Sequence, residues 1–143
     1  MFEIKGIDHV VIRVSDLGPM LEFYIDVLGC TLERQNEEIG LYQLRAGASL
    51  IDLVPVDGVL GRAGGAGPGA EGRNVDHVCL RVEPFDGDRL IALLESRGAS
   101  PGQVESRYGA EGAGPSLYLA DPEGNVIELK GPPSIRAAGA PCV

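Results

Sequence analysis

One pattern occurs twice in this chain. Asp8-His9-Val10-Val11-Ile12-Arg13-Val14 returns as Asp76-His77-Val78-Cys79-Leu80-Arg81-Val82, and Leu50-Ile51-Asp52-Leu53 returns as Val126-Ile127-Glu128-Leu129. A repeat of this length confines the fold to two copies of one supersecondary unit packed into a domain. His9 to His77 is an offset of 68 residues, Gly29 to Gly98 is 69, and both Leu41-Tyr42 to Leu117-Tyr118 and Asp52 to Glu128 are 76. The register therefore jumps once, between Gly98 and Leu117. The stretch 99–114, rich in Gly, Ala and Ser, reads there as a longer loop in the second copy. Between the copies, 57–73 carries Gly at 58, 61, 64, 65, 67, 69 and 72. That composition is too flexible for a packed element and predicts a linker or mobile flap.

Each copy reads as βαβββ. In the first, 7–14 alternates like a strand, and Asp16 stands where a helix N-cap is wanted, with Pro19 in the first turn. Met20, Phe23, Tyr24, Val27 and Leu28 recur at helical spacing before Gly29 stops the helix. Strands are expected at 31–34, 41–45 and 49–55. The second copy predicts a strand at 75–82, a helix at 88–97, and strands at 103–106, 115–120 and 126–130. Asp121-Pro122-Glu123-Gly124-Asn125 turns the last hairpin. The expected class is α+β, two tandem βαβββ modules with mixed sheets forming a cleft. The first module is 1–56, the Gly-rich linker 57–74, the second module 75–131 and the C-terminal tail 132–143.

Period two assigns faces. Val10, Ile12 and Val14 point one way and His9, Val11 and Arg13 the other, and the second copy splits likewise. Asp52 and Glu128 fall opposite the apolar Ile51, Leu53, Ile127 and Leu129. One face thus meets helices, and the other carries His, Arg and a carboxylate from each copy, as the wall of a ligand cleft would. His9 and His77 are the only histidines of the chain. Two imidazoles and two carboxylates suit a first-row divalent metal. The plainer reading of Asp52 and Glu128 is that they face water on a half-buried sheet. The repeat-equivalence of all four residues argues against it, because unselected surface positions need not match.

Composition narrows the partners. The net charge of −9 excludes binding held by nucleic-acid phosphates. No apolar run approaches the length of a membrane span. Cys30, Cys79 and Cys142 are odd in number and contain no CxxC, which fits neither a disulfide framework nor a cysteine zinc site and points to a reducing cytoplasm. Cys79 shares the face of His77 and reads as an inert thiol or an oxidant sensor. Tyr42 and Tyr118 look repeat-equivalent and read either as core or rim tyrosines or as residues reaching the cleft. The 57–73 run has no phosphate-binding fingerprint.

The two Asp-His-Val strand starts, Phe23-Tyr24, Leu28-Gly29 and the run from Leu119 to Leu129 resemble the vicinal oxygen chelate superfamily of glyoxalase I, methylmalonyl-CoA epimerase, fosfomycin-modifying enzymes, extradiol dioxygenases and bleomycin-binding proteins. The resemblance covers about residues 7–131. It implies two βαβββ modules around a metal, with His9, Asp52, His77 and Glu128 at the ligand positions. The metal would be one divalent ion: nickel, cobalt, zinc, manganese or iron. The protein would be a homodimer, with modules paired within a chain or exchanged between chains.

Arg13, four residues after the first histidine, stands where glyoxalase I-like enzymes hold a substrate carboxylate, and Arg81 mirrors it. Either arginine could equally pair with Asp52 or Glu128. Asp52 departs from the Glu or Gln usual at its position. It is one methylene shorter and so could bind through water or serve as a base. His9, His77 and Glu128 alone make a facial triad, but an extradiol dioxygenase is expected to use a third histidine, which this chain lacks. The resemblance points to a glyoxalase I-like lyase or isomerase. Glu128 would be the base, with Asp52 its partner, acting on a small substrate whose neighbouring oxygens chelate the metal. A metal-free bleomycin-resistance-type binding protein is the alternative, its acidity suited to a cationic ligand, alongside epimerase, thiol transferase and dioxygenase activities.

Overall fold

The computed structural model describes residues 1–140; Cys142 lies outside the described residues. The chain forms two compact units, 1–74 and 75 onward, each an α+β module built on an open mixed sheet. Among the described residues no helix is long and apolar enough to cross a membrane.

In the first unit, β1 (His9–Val14) leads into α1 (Leu17–Glu22), which continues as a π-helical turn at Phe23–Val27. The wider turn closes through Leu28 N to Phe23 O at 3.1 Å, and Cys30 N reaches back to Tyr24 O at 2.9 Å around Gly29 at φ 82°. Such a backward bond around a left-handed glycine is the usual helix stop. Then come β2 (Thr31–Asn36), β3 (Leu41–Ala46) and β4 (Ser49–Pro55), in sheet order β1-β4-β3-β2 with β1 parallel to β4. Ile12, Val14, Met20, Phe23, Tyr24, Leu44, Ile51 and Leu53 are buried. All but Leu44 are residues that period two and helical spacing select, while the likewise selected Val10, Val27 and Leu28 are half-buried; full burial of such a side chain is worth roughly 1.5–3 kcal/mol.

The second unit repeats the plan with β5 (His77–Arg81), α3 (Gly87–Ser96), β6 (Glu105–Gly109), β7 (Gly112–Ala120) and β8 (Val126–Lys130), ordered β5-β8-β7-β6. The Asp86 carboxylate accepts from Arg89 N at the start of α3. Leu94, Leu117, Leu119, Ile127 and Leu129 form its buried core. The Asp121 carboxylate is itself buried. Its Oδ1 accepts from Glu123 N and Asn125 N, both at 2.9 Å, so the predicted turn is held by one side chain.

Four expectations need correction. The 99–114 stretch is not a loop throughout, because β6 and the start of β7 occupy half of it. The supposed tail returns to the sheet as β9 (Ile135–Arg136), antiparallel to β7 at Gly112 and Ala113. Gly112 has φ 125°, and a Cβ there would lie 2.1 Å from Ile135 O, so glycine marks close strand approach at this point. The 57–73 segment belongs to the first unit and contains α2 (Val59–Arg62). A Cβ on Gly61 would fall 1.9 Å from Pro55 O and one on Gly64 2.5 Å from the Arg13 guanidinium. Those glycines permit packing; they do not signal looseness.

The fourth correction concerns Tyr42 and Tyr118. In the first hairpin Gln43 pairs with Asp52 and Tyr42 with Leu53, whereas in the second Tyr118 pairs with Glu128 and Leu117 with Leu129. The second hairpin is one residue longer between acid and partner, and one residue exchanges the faces. Tyr42 therefore lies in the apolar row, and the counterpart of Tyr118 is Gln43.

Candidate functional site

Each unit gathers one imidazole and one buried carboxylate on the same face of its sheet. In the first, parallel pairing sets His9 beside Leu50 and Val11 beside Asp52, so His9 and Asp52 lie one pleat apart on adjoining strands. Asp52 is only 3% exposed. Its Oδ2 accepts from Gln43 Nε2 at 3.1 Å, and its Oδ1 is buried with no hydrogen-bond partner. A buried carboxylate oxygen left unpaired is costly unless a proton, a cation or a ligand meets it. The hydrogen bond with Asp8, at 2.7 Å, raises the His9 imidazole above its ordinary 6.5, and the charge of Asp52 adds to this.

In the second unit the same geometry closes further. His77 Nδ1 lies 2.6 Å from Asp76 Oδ1, and Nε2 lies 3.3 Å from Glu128 Oε2. Glu128 is 6% exposed. The aspartate before each histidine occupies Nδ1 and leaves Nε2 for a partner on the sheet face. That is the arrangement in which an outer carboxylate fixes the orientation of a metal-binding imidazole. The signal was present in the sequence as the Asp of both Asp-His-Val starts. The longer Glu128 reaches its histidine's ring nitrogen with one more methylene than Asp52 has.

The donors fit a divalent cation in kind: imidazole nitrogens, buried carboxylates and an orphaned Asp52 oxygen. Each unit alone supplies two of them, and among the described residues no group of three His, Cys, Asp or Glu side chains gathers for a metal.

The arginines are engaged differently from what the sequence suggests. Arg13 Nη1 donates to Gly64 O at 3.1 Å and Ala66 O at 3.0 Å, and Nη2 to Gly61 O at 2.8 Å and Gly65 O at 2.7 Å. Asn74 bonds the Arg13 main chain through both amide atoms, at 3.1 and 2.9 Å, on the edge strand β1. Arg13 is thus the anchor of the 57–73 segment, and the carbonyls take the donors that were expected to hold an anion. Arg81 pairs with Glu111 at 2.5 Å and Glu83 at 3.2 Å.

Cys79 sits directly opposite Glu128. Burial first, then the charge and hydrogen bond of Glu128, push its thiol up to about 11 from an ordinary 9.0. At neutral pH it holds roughly a hundredth of the usual thiolate. Peptide-resolved mass spectrometry at pH 8 should accordingly find Cys79 alkylated far more slowly than a free cysteine peptide, and faster in Glu128→Gln. Reaction at the free-peptide rate in the unmodified protein would contradict this environment.

Two βαβββ modules, each presenting a His–carboxylate pair, define the fold class. A model of the Glyoxalase/Bleomycin resistance protein/Dioxygenase superfamily matches residues 6–129, and the chain belongs to that superfamily. Virulence protein STM3117 of Salmonella typhimurium is 32% identical over 133 residues, 88% of this chain and 83% of that protein. A crystal structure under that name aligns at TM-score 0.74 and 27% identity, covering 92% of this chain and 99% of that one. The integron cassette protein VCH_CASS1 from the mobile metagenome of V. cholerae aligns at TM-score 0.70 and 26% identity, covering 92% and 98%. TnmS3, an antibiotic-binding protein from Streptomyces sp. CB03234, shares the fold at TM-score 0.67 and 24% identity, covering 92% and 99%.

Proposed function

We propose that this chain is a divalent-metal-dependent lyase or isomerase of the glyoxalase I kind, moving a proton alpha to a carbonyl in a small substrate with neighbouring oxygens. The observation that supports it is the doubled pair: in each unit a histidine held at Nδ1 by the preceding aspartate and accompanied by a buried carboxylate. His9, Asp52, His77 and Glu128 would hold one ion, with nickel, cobalt, zinc, manganese and iron(II) all compatible with such donors. When bound, the ion supplies Lewis acidity to the substrate's oxygens. Glu128 takes the proton from the carbon alpha to the carbonyl and returns it to the adjacent carbon, with Asp52 as its counterpart.

Arg81, paired with carboxylates that an anion can replace, steers the substrate's charged end. Arg13 joins it only by giving up the carbonyls of 61–66. The active form is a homodimer in the cytoplasm, its modules paired within or between chains.

A metal-free binding protein of the bleomycin-resistance kind is the second reading, favoured by the net charge of −9, which suits a cationic ligand. Turnover of the methylglyoxal–glutathione hemithioacetal by protein loaded with each metal in turn separates them. The proposal expects turnover with at least one metal. None with any would end the glyoxalase reading and leave the family untouched.

A further inference from the structure

The two units support their site residues by different means, and the difference falls at the one position where the hairpin registers diverge. In the first unit Gln43, opposite Asp52, spends its amide on the acid. In the second unit Tyr118, opposite Glu128, turns its ring to the histidine. The Tyr118 and His77 ring centroids are 5.5 Å apart at 78°, an edge-to-face contact. The Arg107 guanidinium carbon lies 4.4 Å from the centroid of the Tyr118 ring. Arg107 is itself pinned: Nη1 donates to Ser116 O at 3.2 Å and to Ser116 Oγ at 3.0 Å, and Nη2 meets Glu105 at 2.8 Å. Its carbonyl accepts from the buried Lys130 ammonium. Ser116 is fully buried, so the clamp rests on a fixed strand.

From this geometry we infer that Tyr118, clamped by Arg107, is a positioning residue that fixes the plane of the His77 imidazole. Three constraints then meet on one ring: Asp76 at Nδ1, Glu128 beside Nε2, and the Tyr118 ring. With all three in place, Nε2 is presented in one direction without loss of ring entropy at the moment of binding. The first unit has no aromatic ring opposite Asp52, so His77 is the more rigidly held of the two histidines. The part of this inference that concerns metal rests on the function proposed above; the ring contact stands on the geometry of the second unit alone.

The test uses the full chain, whose two histidines give two sets of imidazole signals in NMR of histidine-labelled protein. The metal-free protein should show proton contacts between the His77 and Tyr118 rings. Tyr118→Leu should move the His77 ring signals, leave those of His9 in place, and weaken Co²⁺ or Zn²⁺ binding by about 10–100-fold, the usual cost of losing an orienting neighbour. Tyr118→Phe should restore both, because the ring and not the hydroxyl makes the contact, and Arg107→Gln should fall between. Tyr118→Leu with unmoved His77 signals would overturn the inference, as would unchanged metal affinity in a protein that binds metal. If the unsubstituted protein binds no metal, the metal reading alone falls, and the His77 signals in Tyr118→Leu and Tyr118→Phe still decide the positioning role.

Discussion

Glu128→Gln is expected to lower turnover by about 10²–10⁴-fold, the range over which a positioned general base contributes. Glutamine keeps the volume and fills the same buried position between Cys79 and Tyr118, so thermal unfolding should stay close to that of the original chain. What it removes is the carboxylate that lies 3.3 Å from His77 Nε2. Asp52→Asn should cost less, because Asp52 already shares one oxygen with Gln43 and is a methylene shorter. The ratio of the two effects measures how far the repeat has become functionally asymmetric. Steady-state kinetics on both variants read it directly, and wild-type turnover in Glu128→Gln would remove Glu128 from the chemistry.

Arg13→Ala is expected to destabilise the first unit by about 2–3 kcal/mol. Bonds to a charged donor contribute about 1.5–3 kcal/mol each when shielded, but three of these four are exposed and water replaces much of their loss. The chain from 57 to 73 would lose its anchor, so proteolysis should shift into it and amide exchange there should quicken. Arg13→Lys should recover only part, since one ammonium cannot reach four carbonyls spread over Gly61 to Ala66. Urea denaturation and limited proteolysis give the readouts. An unchanged midpoint with intact protease resistance, accompanied by lost turnover, would return Arg13 to the substrate-holding role that its place after His9 suggests.

The repeat and the alternation of β1, β4, β5 and β8 made the fold and the faces of His9, Asp52, His77 and Glu128 readable in the sequence, because period two leaves one solution once a strand's apolar side is known. The same logic failed for Tyr42 and Tyr118. Their flanking residues match in the sequence, but one extra residue in the second hairpin exchanges the sheet faces, and a one-residue shift is invisible without the pairing register. Glycine misled in another way. In 57–73 and 99–114 its frequency reads as looseness, whereas Gly61, Gly64 and Gly112 are small because Pro55, Arg13 and Ile135 come too close for a side chain. The anchoring of 61–66 by Arg13 had no local signal, since its acceptors are main-chain carbonyls carried by every residue type. The orienting aspartates did have one, in the acid that precedes each histidine.

Whether the doubled His–carboxylate pair binds a divalent metal, as proposed, is read by elemental analysis of protein purified without chelators. A stoichiometric divalent metal is expected, lost in His9→Ala and in His77→Ala alike. Metal-free protein that takes up none of nickel, cobalt, zinc, manganese or iron(II), with stability unchanged by either substitution, would contradict it and make this chain a binding module.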